Sequence, residues 1–113
     1  MPEPAEKRAI ARQEIRLPFL YRLKTPISVR AGVGWTHNIS EEGACIELPE
    51  RLEEGAAMQI LFQTDRGGLG VGVQVIWVAG IREKGEGLVH GVDFPGLNEE
   101  KRQALLEFIR SGG

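Results

Sequence analysis

The chain has little of several features that would point to other classes of protein. Its 113 residues include one cysteine, so no disulfide can form within the chain, which is compatible with a reducing cytoplasm. No apolar stretch is longer than a strand, so we expect no membrane insertion. The first residues lack the apolar region of a signal peptide. The formal net charge of −2 provides no general attraction to nucleic acid polymers.

Sequence patterns of catalysis and metal binding are also missing. Ser40 is not in a Gly-x-Ser-x-Gly segment, and the chain has no phosphate-binding Gly-x-x-x-x-Gly-Lys loop. The two histidines lack the clustered partners of a metal site, and Cys45 is most simply a small packing residue. We therefore predict that the protein is not an enzyme and holds no metal or cofactor.

Period-two alternation of apolar residues recurs along the chain and indicates β-strands. The six alternating runs are Leu17–Leu23, Val29–Ile39, Ala44–Leu48, Met58–Phe62, Leu69–Trp77 and Leu88–Phe94. Turn signals rich in Gly, Pro and charged residues separate them. Because closure removes exposed strand edges, six short strands in one small domain favour an antiparallel barrel.

The last segment changes to a helical period. Asn98 is a good N-cap, and Glu99 and Glu100 lie where the helix dipole favours negative charge. Leu105, Phe108 and Ile109 then form an apolar stripe. The predicted fold is all-β: a six-stranded antiparallel barrel with a C-terminal α-helix packed on it.

The same alternation predicts which strand residues face the core. In the second run it places Val29, Ala31, Val33, Trp35, His37 and Ile39 on one apolar face. In the fifth it groups Trp77 with Leu69, Val71, Val73 and Val75, which favours burial of the indole. His37 and His90 are accordingly predicted to be core or rim residues.

Two short segments suggest a binding site. Arg12 and Arg16 lie four residues apart before the first strand, and a guanidinium offers a rigid donor fork that matches phosphate oxygens. The alternative is a solvated basic tail making weak surface ion pairs. Asn38, Ser40 and Gly43 fall in the turn after the second strand, where Gly would supply a positive φ. A hairpin corner without a ligand is the alternative there.

Together, Arg12-Gln13-Glu14-Ile15-Arg16 and Asn38-Ile39-Ser40-Glu41-Glu42-Gly43 resemble the two-part signature of PilZ domains, which bind the bacterial second messenger cyclic di-GMP. The resemblance implies a domain over 12–110 and a flexible N-terminal segment, 1–11, that changes on ligand binding. The implied ligand-binding residues are Arg12, Arg16, Asn38, Ser40 and Gly43, with Trp77 as an aromatic near the base. The family more often has Asp where this chain has Asn38, and the amide is a weaker acceptor for guanine N–H groups.

The implied function is that of a cytoplasmic cyclic di-GMP receptor that alters contact with a protein partner, in processes such as motility or biofilm formation. One alternative is a PilZ-like protein adaptor, related to type IV pili or motility, that does not bind the nucleotide. The other is a small oligonucleotide-binding barrel. That function needs exposed aromatics and a basic face, and the seven aromatics here fall mostly on predicted core faces.

Overall fold

Six antiparallel strands form a closed barrel followed by one helix, within the residues that the computed structural model describes, 14–79 and 88–112. The elements are β1 (Pro18–Lys24), β2 (Val29–Ile39), β3 (Gly43–Leu48), β4 (Ala57–Thr64), β5 (Gly67–Val78), β6 (Leu88–Asp93) and α1 (Glu99–Arg110). Their order around the barrel is β1-β2-β3-β6-β5-β4, and β4 pairs with β1 to close it. The predicted barrel with a C-terminal helix is confirmed.

The barrel interior follows the predicted alternation in β1, β4 and β5. Phe19 and Tyr21 point inward from β1, and Phe62 points inward from β4. The Phe62 ring lies 5.8 Å from the Phe19 ring and 5.2 Å from the Phe108 ring, measured between centroids. Burying one such apolar side chain contributes about 1.5–3 kcal/mol, so this aromatic column is a large part of what holds the barrel and the helix together.

The predicted inward face of β2 is wrong. Val29, Val33 and Trp35 are exposed, as are Ala31 and His37. The inward positions of β2 carry small residues, because the Phe19 and Tyr21 rings of β1 occupy the space beside them. A Cβ on Gly34 would lie 2.5 Å from Phe19 Cζ, and one on Gly32 would lie 2.9 Å from the Tyr21 ring.

Two β-bulges change which residues point outward. One lies between Thr36 and Asn38 in β2, and the other between Val75 and Trp77 in β5. An extra residue in one strand reverses the alternation after it. The bulge in β2 keeps Ile39 in the core, as predicted, and turns Asn38 outward. The bulge in β5 leaves the Trp77 side chain 43% exposed, so the predicted burial of the indole is wrong.

His90 is a core residue, as predicted. Its Nε2 accepts from the Leu52 N–H at 3.0 Å, so Nδ1 carries the proton and donates to the Leu88 carbonyl at 3.0 Å. Burial lowers the pKa of His90 below its ordinary value, although the bond to the Leu88 carbonyl acts in the opposite direction. The folded protein therefore favours neutral His90.

α1 begins and packs as the sequence predicts. The Asn98 side chain accepts from the Lys101 backbone N–H at 2.8 Å, which satisfies one of the free donors of the first turn. Leu105, Phe108 and Ile109 are buried, and the Phe108 ring packs against the Phe62 ring at an interplanar angle of 45°. The helix therefore continues the aromatic column of the barrel.

Candidate functional site

The turn between β2 and β3 is held together by Ser40. The Ser40 side chain is buried, and its hydroxyl oxygen accepts from the Glu42 backbone N–H at 3.1 Å. The Ser40 backbone N–H donates to the Gly43 carbonyl at 2.9 Å. The hydroxyl of Ser40 therefore supports the turn from inside.

Gly43 is needed for close packing and not for a special backbone conformation. Positive φ angles in residues 14–79 and 88–112 occur at four other glycines, so the predicted positive φ at Gly43 is wrong. A Cβ on Gly43 would instead lie 2.4 Å from the Val92 carbonyl oxygen. Gly43 lets the start of β3 approach β6 without a side chain between them.

The same turn is attached to the helix by an ion pair. Arg102 donates to Glu41 Oε1 at 2.6 Å, and the Glu41 side chain is only 9% exposed. Arg102 also bonds Glu99 in the first turn of α1. The hydrogen bond to Glu99, which is the largest single cause, and the hydrogen bond to Glu41 raise the pKa of Arg102. Glu41 thus points toward the helix and fixes the turn between Asn38 and Gly43 from behind.

Thr36 anchors the residues that precede β1. Its buried hydroxyl donates to the Ile15 carbonyl and accepts from the Leu17 N–H at 2.8 Å. The Thr36 backbone N–H donates to the Leu17 carbonyl at 2.8 Å. These three bonds hold the chain on both sides of Arg16 against β2, so the position of this arginine is set by the barrel.

The Arg16 side chain lies on the outer surface of β2 and β3. Its guanidinium carbon is 4.8 Å from the centre of the Trp35 ring, within the range of a cation–π contact. Its Nη1 is 3.3 Å from Glu47 Oε1, and His37 Nε2 is 3.0 Å from the same oxygen. More than half of the Arg16 side chain is still exposed, so its guanidinium is accessible to an anion.

The strand register aligns four outward residues across four neighbouring strands. Asn38 pairs with Cys45, Cys45 with Gly91, and Gly91 with Trp77. Directly opposed residues share a face, and three strand spacings of about 4.8 Å separate β2 from β5. Trp35 and Glu47 pair in the next outward position along β2 and β3. We call this surface the candidate face, defined by Trp35, Asn38, Cys45, Glu47, Gly91 and Trp77.

The structure thus brings three of the six predicted site residues to one surface: Arg16, Asn38 and Trp77. Ser40 and Gly43 build the turn beside it: the Ser40 side chain is buried, and Gly43 has no side chain to offer a ligand. Arg12 lies outside the described residues. The sequence reasoning missed Trp35 and Glu47, although Glu47 alternates with core residues of β3 and could have been placed outside on that pattern.

Residues 14–79 and 88–112 contain neither a metal-binding group nor a membrane-spanning helix. In these ranges no group of three His, Cys, Asp or Glu side chains has the arrangement needed to hold a metal ion. None of the helices in them has the length and apolar character required to cross a membrane.

The family model of the PilZ domain matches residues 8–111. That range is most of the chain, so the chain belongs to the PilZ domain family. No curated protein shows a significant match to the chain.

Solved structures share this fold at low sequence identity. The PilZ domain of YcgR from Escherichia coli, determined with c-di-GMP, is 19% identical with a TM-score of 0.71, over 93% of this chain and 90% of that one. A longer YcgR chain in complex with c-di-GMP is 18% identical (TM-score 0.70), over 94% of this chain and 46% of that one. The Bacillus subtilis inhibitor of motility, MotI/DgrA, is 17% identical (TM-score 0.68), over 98% and 56% respectively. This chain therefore spans about half the length of the latter two.

Proposed function

We propose that this domain is a cytoplasmic receptor for cyclic di-GMP, which it binds on the candidate face. The observation that carries the proposal is that two β-bulges and one buried threonine bring Arg16, Asn38 and Trp77 to the same outer surface. These three side chains offer a cationic fork, an amide and an aromatic ring. A cyclic dinucleotide requires partners of these three kinds, for its phosphates, base edges and base planes.

Each residue has a distinct role in this proposal. Arg16, with Arg12 four residues upstream, binds phosphate oxygens through paired N–H donors. The Asn38 amide bonds the edge of a guanine, and Trp77 stacks on a base. Ser40 and Gly43 act indirectly, because they shape the turn that ends at Asn38.

In the free protein Arg16 is already engaged by Glu47 and Trp35. A ligand phosphate would replace the Glu47 carboxylate at the guanidinium, so binding is an exchange of anions. The exposed ion pair is worth about 1 kcal/mol or less, and a phosphate can compete with it. Glu47→Gln should therefore tighten cyclic di-GMP binding by up to a few-fold.

Titration calorimetry with cyclic di-GMP tests the proposal, because it returns affinity and stoichiometry together. We expect a dissociation constant in the micromolar range or tighter, with much weaker binding of GMP and of linear dinucleotides. No heat and no amide chemical-shift change at a ligand concentration of about 1 mM would rule out the receptor function.

The proposed output is a changed surface for a protein partner. The domain is taken as residues 12–110, preceded by a segment, 1–11, that reorganises around the ligand. Ordering such a segment opposes binding through lost conformational entropy, which the arginine–phosphate contacts must offset. The bonds of Thr36 to Ile15 and Leu17 support a change that stops at Ile15 and leaves the barrel unaltered.

An adaptor that binds only proteins is the second candidate. It is favoured by an exposed apolar cluster on the outer surface of β1, β2 and β4. Leu20 pairs with Val33 on one side and with Leu61 on the other, and these side chains are 54%, 49% and 39% exposed. If cyclic di-GMP fails to bind, this cluster becomes the first surface to alter in a search for partners.

A further inference from the structure

A glycine of β6 contacts the tryptophan of the candidate face. An ideal Cβ built on Gly91 would lie 2.1 Å from Trp77 Nε1 and 2.2 Å from Trp77 Cε2. Both distances are far shorter than any van der Waals contact, so the five-membered ring of the indole occupies the space that a side chain at residue 91 would fill. The indole therefore extends from β5 across β6, where Cys45 of β3 is the next outward residue.

The backbone itself does not require glycine at this position. Gly91 is not among the glycines with positive φ, so an L-residue could adopt its conformation. The three atoms nearest to an added Cβ all belong to Trp77. The indole is therefore the nearest obstacle to a side chain at position 91.

We propose that Gly91 is a positioning residue: its missing side chain lets the Trp77 indole lie flat on the barrel as a platform for a purine ring of the ligand. This inference rests on the proposed cyclic di-GMP binding. The bulge before Trp77 turns its side chain outward. The absence of a side chain at Gly91 lets the indole lie close to β6. Trp77 is 43% exposed in this position, so part of its surface is accessible to a ligand.

A side chain at residue 91 would act through the tilt of the indole. An alanine methyl cannot coexist with the ring where it now lies, so the indole must rotate away from β6. A ring that stands up from the sheet offers a base less planar area. Base–aromatic stacking of this kind changes affinity by roughly fivefold to a hundredfold per base.

The test compares Gly91→Ala with Gly70→Ala in the full chain. Gly70 is a suitable control because it is another strand glycine without positive φ, and an added Cβ there would meet only Leu61 Cδ1 at 4.0 Å. Gly91→Ala should weaken cyclic di-GMP binding by roughly tenfold and shift the Trp77 indole N–H resonance in the ligand-free protein. Gly70→Ala should change neither.

A double-mutant comparison separates positioning from a general structural effect. In a Trp77→Ala background, Gly91→Ala should have no further effect on affinity, and Trp77→Ala alone should weaken binding at least as much as Gly91→Ala does. Equal weakening by Gly91→Ala in both backgrounds would overturn the inference, as would a Trp77→Ala variant that binds like the wild type. An unmoved indole resonance would also overturn it. Failure of the wild-type chain to bind cyclic di-GMP would instead refute the proposed function.

Discussion

Arg16→Ala should separate ligand binding from folding, because the arginine is exposed in the free protein and buried against phosphate in the proposed complex. The free protein would lose an ion pair to Glu47 at 3.3 Å and a cation–π contact with Trp35 at 4.8 Å. Exposed contacts of these kinds contribute about 0–1 kcal/mol each. We therefore expect the free energy of unfolding to fall by about 1 kcal/mol, which lowers Tm by roughly 5 °C.

The expected effect on binding is larger. Truncating one partner of a buried, charge-assisted contact costs about 2–4 kcal/mol of binding free energy. We expect a value near the lower end for Arg16, because its contact with Glu47 must be broken before the ligand binds. About 2 kcal/mol corresponds to a roughly thirtyfold weaker dissociation constant. Calorimetry with cyclic di-GMP measures this change, and thermal denaturation measures the stability of the same sample.

Matched variants define what would refute the role of Arg16. Arg12→Ala should also weaken binding by about 2–4 kcal/mol, whereas Lys7→Ala should have much less effect because a tail charge is screened by solvent. Arg22→Ala removes an exposed arginine that lies six residues after Arg16, on the same outward side of β1. This variant should leave the affinity for cyclic di-GMP unchanged. Equal small losses from all four variants would mean diffuse electrostatic attraction in place of a specific clamp.

Three further outcomes follow from contacts in the barrel. Thr36→Val leaves the buried Leu17 N–H without its side-chain acceptor and should lower the free energy of unfolding by about 1–3 kcal/mol, measured by urea denaturation. Thr36→Ser keeps the hydroxyl and should retain most of the wild-type stability. Burial lowers the pKa of His90, so below the ordinary histidine pKa of about 6.5 the unfolded chain binds more protons than the folded protein. The free energy of unfolding should therefore fall as the pH drops from about 7 to 5. A His90→Gln variant whose stability has the same pH slope would contradict this explanation. In hydrogen exchange, cyclic di-GMP should increase protection at 8–16 and 38–43 and leave 57–63 and 88–94 nearly constant, whereas a segment already protected without ligand would exclude an ordering transition.

Sequence patterns were sufficient for the barrel, because every strand except β2 has a run of alternating apolar residues that points inward. β2 could not be predicted in this way. Its inward positions are small to make room for Phe19 and Tyr21 of the neighbouring strand, and that requirement is a property of the pair of strands. The outward residues of β2 are therefore apolar and have the alternating pattern that is typical of a core face.

The site was predictable in part for a related reason. Arg16 and Asn38 of the two motifs lie on one outer surface, but the outward position of Trp77 beside them depends on one extra residue in β5. Ile76 has nothing in its residue type that marks it as a bulge, and a regular strand would have buried the indole. The importance of Glu47 depends on its distance to Arg16, and the alternation along β3 contains no information about that distance.

The bonds of Thr36 to both neighbours of Arg16 also limit how far the upstream arginine can travel. Four residues of fully extended chain span at most about 14 Å, so Arg12 is tethered within that radius of a fixed point. In the proposed complex, once Arg16 has bound one phosphate, Arg12 would meet the ligand as an intramolecular partner, at an effective concentration on the order of millimolar. The two arginines of the proposed complex would then act as one chelating site, and lengthening the spacer between them should weaken cyclic di-GMP binding without altering either contact.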